Sequence, residues 1–158
     1  MKNVSVFLGS HSGNDPKFSQ TAFDFGRALA LAGHTLIYGG SNVGTMRSLA
    51  EGCIQSGGKC IGVFPSGFKG KPEVAATGID IKRKDLSRMY FTSDFAERKK
   101  KMSSLSDCCV ALPGSWGTLD ELFTYVTDTE LGFNGGKPIF VLNLDGYYNP
   151  LRKMIDNM

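Results

Sequence analysis

A chain of 158 residues, 41% of them hydrophobic, has enough apolar material for one domain with a real core. Its formal net charge of +3 is too small to indicate a dedicated nucleic-acid surface, and no stretch approaches the apolar length of a membrane span. The four cysteines, Cys53, Cys60, Cys108 and Cys109, show no metal-ligand spacing, and two histidines, His11 and His34, offer little for a histidine-built metal site. Reduced core cysteines fit a cytoplasmic protein. The first residues run straight into a strand-like segment, which leaves no room for a signal peptide.

In chain order, residues 4–8 read as a strand followed by a polar loop, Gly9 to Asn14. Asp15-Pro16 offers an N-cap and a first-turn proline, and Phe18, Ala22, Phe25, Leu29 and Ala32 recur at helical spacing until Gly33. Thr35–Tyr38 is a second strand, ended by Gly39-Gly40. A helix carrying Met46, Leu49, Ala50, Cys53 and Ile54 follows, closed by Gly57-Gly58. Residues 60–64 form a third strand and residues 65–78 a loop rich in glycine, lysine and proline. Arg88 to Phe91 is an extended segment or a short strand. Ser93 or Asp94 caps a helix that includes Arg98 and Met102 and runs to about Ser104. Residues 108–112 are a strand, Leu119, Leu122, Phe123 and Val126 mark a helix, residues 139–142 are a strand, and Asn149-Pro150 opens a last helix.

Strands alternate with helices, and the strands are mostly apolar rather than alternating, as expected when both faces are covered. The expected fold is a single doubly wound α/β domain, Rossmann-like, with a mainly parallel sheet spanning residues 1–158. Functional loops should gather at the carboxyl ends of the strands, where Ser10, Gly39-Gly40-Ser41 and Gly114 to Gly117 fall.

The sharpest chemical signal is Pro113-Gly114-Ser115-Trp116-Gly117-Thr118-Leu119-Asp120-Glu121, set between a strand and a helix. Glycines let the backbone turn tightly and expose its N–H groups, and the new helix adds its positive end, so the segment reads as a phosphate site. It lacks the Gly-Lys-Ser/Thr ending of a P-loop and does not match Gly-x-Gly-x-x-Gly. Glu121, a turn into the helix, puts a carboxylate beside the bound anion.

This segment resembles the Pro-Gly-Gly-x-Gly-Thr-x-x-Glu motif of the Lonely Guy family, long labelled "lysine decarboxylase-like", which includes cytokinin riboside 5′-monophosphate phosphoribohydrolases. The similarity extends, in order, through Gly9-Ser10, Tyr38 to Met46, Arg98-Lys99 with Met102, Lys137-Pro138, and Asn143 to Tyr148. It implies Arg98 and Glu121 as the catalytic pair. It also implies a substrate site drawn from Ser10, Gly40, Lys99, Gly114, Ser115, Trp116, Gly117, Thr118 and Asp120. The implied reaction is hydrolysis of the N-glycosidic bond of purine nucleoside 5′-monophosphates, of AMP or cytokinin type, in a homodimer. Members usually carry a further helical tail beyond the point where this chain stops. Ser41 and Ser115 stand for glycines, Thr45 for a leucine, Arg47 for a glycine, and Thr124 for a frequent glutamate. Asp128 and Glu130 replace a tryptophan and a glutamine common in plant-like members. These departures bear on base preference more than on the reaction.

Such hydrolysis passes through an oxocarbenium-like sugar, whose charge a carboxylate can stabilise or whose water it can activate. Glu121 suits that role, while Arg98 holds the substrate or the departing base. The bland readings are a dipole partner for Glu121, a surface charge for Arg98, local capping for Asp120, a loop polar residue for His11, and packing for Tyr147 and Tyr148. Trp116 divides equally between packing and ligand contact. No metal or organic cofactor is required. A non-catalytic carrier is the alternative, because similar folds with this glycine loop bind molybdenum cofactor. Lysine decarboxylation would need a pyridoxal phosphate Schiff-base lysine, for which no lysine has a recognisable setting.

Overall fold

The computed structural model describes residues 1–66 and 86–158; most of the expected 65–78 loop and the basic run Lys82-Arg83-Lys84 lie outside them. The strands are β1 (Asn3–Phe7), β2 (Thr35–Tyr38), β3 (Lys59–Pro65), β4 (Arg88–Thr92), β5 (Cys108–Ala111) and β6 (Ile139–Val141). They form one sheet in the order β4-β3-β2-β1-β5-β6, and every neighbouring pair is parallel. The expectation of a mainly parallel sheet thus becomes a fully parallel one, and the ambiguous segment at Arg88 is its edge strand.

Five α-helices are described: α1 (Pro16–Leu31), α2 (Gly44–Gln55), α3 (Phe95–Leu105), α4 (Trp116–Glu130) and α5 (Asn149–Ile155), with a 3-10 turn at Leu144–Gly146. Local chemistry sets their ends. Asp15 caps α1 by accepting from the Lys17 N–H at 2.9 Å, with Pro16 in the first turn. Asp94, rather than Ser93, caps α3: it accepts from the Glu97 N–H at 2.8 Å, and Glu97 in turn accepts from the Ser93 N–H at 2.6 Å.

The period of two along each strand sorts side chains into two cores. Val4, Val6, Leu8, Leu36 and Tyr38 pack with Ala22, Leu29, Leu49 and Ala50 of α1 and α2. Phe7, Ile37, Val63 and Cys109 pack with Met102 of α3 and Tyr125 of α4 on the other face. Cys53, Cys60 and Cys109 are buried and Cys108 half-buried, all as free thiols; burial pushes Cys109 up to about 12. Among the described residues no helix is long and apolar enough to cross a membrane.

The strand order positions the site. From β1 the chain steps outward through β2, β3 and β4, then returns to place β5 on the other side of β1. The connections after β1 and β5 therefore leave the sheet toward opposite faces and part at their carboxyl ends. That divergence opens a crevice, the ordinary ligand position in an open parallel sheet.

Candidate active site

The loop after β5 is held by its neighbours. The Leu112 N–H donates to the Phe7 carbonyl at 2.9 Å, so the chain follows β1 for one residue past the strand. Gly114 is obligatory there. A Cβ on it would lie 2.0 Å from Thr118 Oγ1 and 2.9 Å from the Gly9 nitrogen. Ser115 is the N-cap of α4, yet its side chain makes no capping bond, which leaves the first-turn N–H groups open to an anion. Thr118 is 2% exposed, and its hydroxyl has no hydrogen-bond partner among the described residues. A buried donor in that state costs about 1–3 kcal/mol until something accepts from it.

The loop after β1 closes the other side. Thr45 Oγ1 donates to the Gly9 carbonyl at 2.6 Å and ties the first turn of α2 to that loop. α2 likewise begins without a side-chain cap, since its N-cap residue is Val43. Between the two loops lies a cleft of about 210 Å³, lined by Gly9, Ser12, Asn14, Phe18, Ser115 and Tyr147 among others. His11 lines it too, with Nδ1 3.3 Å from the exposed Ser10 hydroxyl.

On the opposite face of the sheet, α3 and α4 bring Arg98 and Glu121 together, each 7% exposed. Arg98 Nη1 donates to Glu121 Oε1 at 2.6 Å, and Arg98 Nε donates to the Val63 carbonyl at 3.0 Å. The surface-charge reading of Arg98 is thereby excluded. Its guanidinium also needs Gly39, where a Cβ would stand 1.9 Å from Nη2. Burial pushes the Glu121 carboxyl above the usual carboxylate range, with Arg98 pulling in the other direction. Two buried ions at this distance require each other; removing one partner of such a pair typically costs about 3–5 kcal/mol.

The remaining expected residues fall around this centre. Lys99 points to α4, where Nζ lies 2.8 and 2.9 Å from the two Asp120 carboxylate oxygens and 3.0 Å from Thr124 Oγ1. Gly40 has φ +76° at the end of β2, against the Met89 side chain. Trp116 is 85% exposed, so it does not pack into the core of the described residues. Among the described residues no group of three His, Cys, Asp or Glu side chains is placed to hold a metal ion.

A family model described as possible lysine decarboxylase matches residues 46–158. A cytokinin riboside 5′-monophosphate phosphoribohydrolase of Rhodococcoides fascians is 38% identical over 99% of this chain and 75% of its own length. The chain belongs to the Lonely Guy family. Another relative with that name, from Arabidopsis thaliana, is 36% identical over 98% of this chain and 64% of its own length. The chain thus spans about two thirds to three quarters of these two relatives. The molybdenum cofactor carrier protein of Chlamydomonas reinhardtii, 18% identical with a TM-score of 0.65 and 98% of each chain covered, shares the fold.

Within this Lonely Guy chain, four contributions to the site are not evident from the sequence. The Val63 carbonyl and the bare surface of Gly39 become visible only when β2, β3 and α3 are assembled. Tyr147 and Tyr148, expected to pack, also donate hydrogen bonds at the start of the signature loop and to the strand end before it: Tyr147 Oη to the Gly114 carbonyl and Tyr148 Oη to that of Leu112, both at 2.7 Å. Their place in the late Asn-x-x-Gly-Tyr-Tyr similarity was the available signal.

Proposed function

We propose that this protein hydrolyses the N-glycosidic bond of purine nucleoside 5′-monophosphates, of AMP or cytokinin type, releasing free base and ribose 5-phosphate. The names of its relatives support this reaction. The observation that carries it is the buried Arg98–Glu121 pair, one turn from a helix N-terminus whose Thr118 hydroxyl has no hydrogen-bond partner among the described residues. A pure carrier has no need to bury a carboxylate and a guanidinium together beside its anion site.

In this reading the N–H groups of Ser115 to Thr118 and the Thr118 hydroxyl anchor the 5′-phosphate. The C1′–N bond breaks as positive charge spreads over the ribose. Glu121, as a carboxylate, stabilises that charge and accepts a proton from the attacking water, whose oxygen bonds to C1′. The base leaves with the bonding electron pair and takes up a proton. Arg98 holds Glu121 ionised and in place, with its Nη2 edge turned toward Gly39. Lys99 ties α3 to α4 through Asp120, exposed Trp116 at the start of α4 is available to the bound nucleotide, and Ser10 and Gly40 belong to the neighbouring loops.

We also read residues 1–158 as one nucleotide-binding domain that works as a homodimer in the cytoplasm, where free cysteines remain reduced. Exposed Phe91 and Phe95, on β4 and at the start of α3, favour this edge as the dimer contact.

The test is a panel of AMP, a cytokinin riboside 5′-monophosphate, GMP, CMP and adenosine, assayed for free base and ribose 5-phosphate. AMP-like nucleotides should be cleaved and adenosine only poorly, because it lacks the anchor. Release of no base from any nucleotide would overturn the reaction; equal turnover of adenosine and AMP would overturn the phosphate dependence.

A further inference from the structure

The two tyrosines after β6 hold the carbonyls on either side of Pro113, those of Leu112 and Gly114, but sit in different surroundings. Tyr148 is 5% exposed, and its backbone N–H donates to Asn143 Oδ1 at 2.7 Å; it anchors Leu112 at the end of the strand. Tyr147 is 43% exposed and lines the cleft. Its ring meets Phe18 edge-on at 5.7 Å and Tyr148 at 4.9 Å, and its hydroxyl reaches Gly114. The turn that presents it is itself tethered. Asp145 adopts φ +48°, and its carboxylate lies 2.9 Å from Lys17 Nζ at the start of α1.

We infer that Tyr147 is a positioning residue for phosphate recognition, setting through Gly114 the direction in which the loop presents its N–H groups. The peptide between Gly114 and Ser115 is planar and trans, so its carbonyl and its N–H point opposite ways. Holding the Gly114 oxygen against Tyr147 turns the Ser115 N–H to the other side. Neither flanking residue does this by itself: Gly114 has no side chain, and the Ser115 side chain makes no capping bond. If that peptide inverts, a carbonyl oxygen replaces an N–H in the anion site, and the first contact with a phosphate becomes repulsive. Tyr147 thus acts on the part of the site that distinguishes a nucleotide from a nucleoside. This role rests on the reading that the loop holds the 5′-phosphate.

The experiment compares Tyr147→Phe with Tyr148→Phe, using AMP and adenosine side by side. Tyr147→Phe keeps the ring and its contacts. It should lower kcat/KM for AMP about tenfold, through KM, and leave the much smaller value for adenosine as it was. Tyr148→Phe leaves the buried Leu112 carbonyl unpaired, so it should lower the melting temperature and keep the ratio of AMP to adenosine. An unchanged ratio in Tyr147→Phe, whether both substrates fall equally or neither falls, overturns the positioning role. If the native protein cleaves no nucleotide, the reaction has failed rather than the positioning role. Calorimetric binding of AMP and adenosine then decides the latter: AMP should bind Tyr147→Phe about tenfold more weakly. Equal AMP affinity in the two proteins overturns it.

Discussion

Glu121 combines burial that favours its neutral form with an adjacent cation that favours its charged form. The proposed chemistry uses the charged form. Glu121→Gln keeps the shape and removes the charge, and turnover of AMP should fall on the order of 10²–10³-fold. The raised carboxyl also fixes the sign of the pH response. Activity should be lost as pH falls through the Glu121 value, so the acid limb of kcat/KM should lie above the range of a solvent-exposed glutamate, and Glu121→Gln should flatten it. A limb in the ordinary glutamate range, surviving the substitution, would assign it to another group. For stability the sign is opposite. A folded-state value above the unfolded one gives a contribution fully present below the unfolded value and lost as pH rises through the folded one.

Between elements, the site depends on how closely α3 approaches the end of β2. Arg98 spans from α3 to the Val63 carbonyl of β3 and to Glu121 of α4, and its path crosses Gly39. Gly39→Ala puts a methyl 1.9 Å from Nη2, so the guanidinium must shift and Glu121 with it. A displacement of about 1 Å at a catalytic group costs about 10² in rate. We expect a loss of AMP turnover of that order while circular dichroism still reports a folded protein. Full activity would mean that the guanidinium is free to relocate and does not fix the carboxylate.

Across the whole molecule, one edge of the sheet is β4, where Phe91 and the neighbouring Phe95 are 44% and 49% exposed. That edge leads along α3 to Arg98, so a subunit docked there would lie within a few turns of the proposed chemistry. Sedimentation at micromolar concentration should give a dimer. A clean monomer that still hydrolyses AMP would show that one chain supplies the complete site.

Much of this was legible in the residues alone. The period of apolar positions, the glycines after Tyr38 and Leu112, the Asp15-Pro16 cap and the Ser93-Asp94 pair are local signals, and they specified the alternation of strands and helices, though which of Ser93 and Asp94 caps was decided by the structure. The loop from Pro113 to Glu121 could be read as a candidate anion site because tight turning and helix polarity are properties of contiguous chain. Distances between elements are not such properties. The resemblance already set Arg98 apart from its run of four cations, but its burial against Glu121, 23 positions away, appears only once α3 is laid across β3. Tyr147 reads as packing until the turn after β6 is carried back to Gly114, 33 positions earlier. The order of the sheet, which sets β5 beside β1 and opens the crevice between their loops, is a consequence of long-range pairing, and only the tertiary structure decided it.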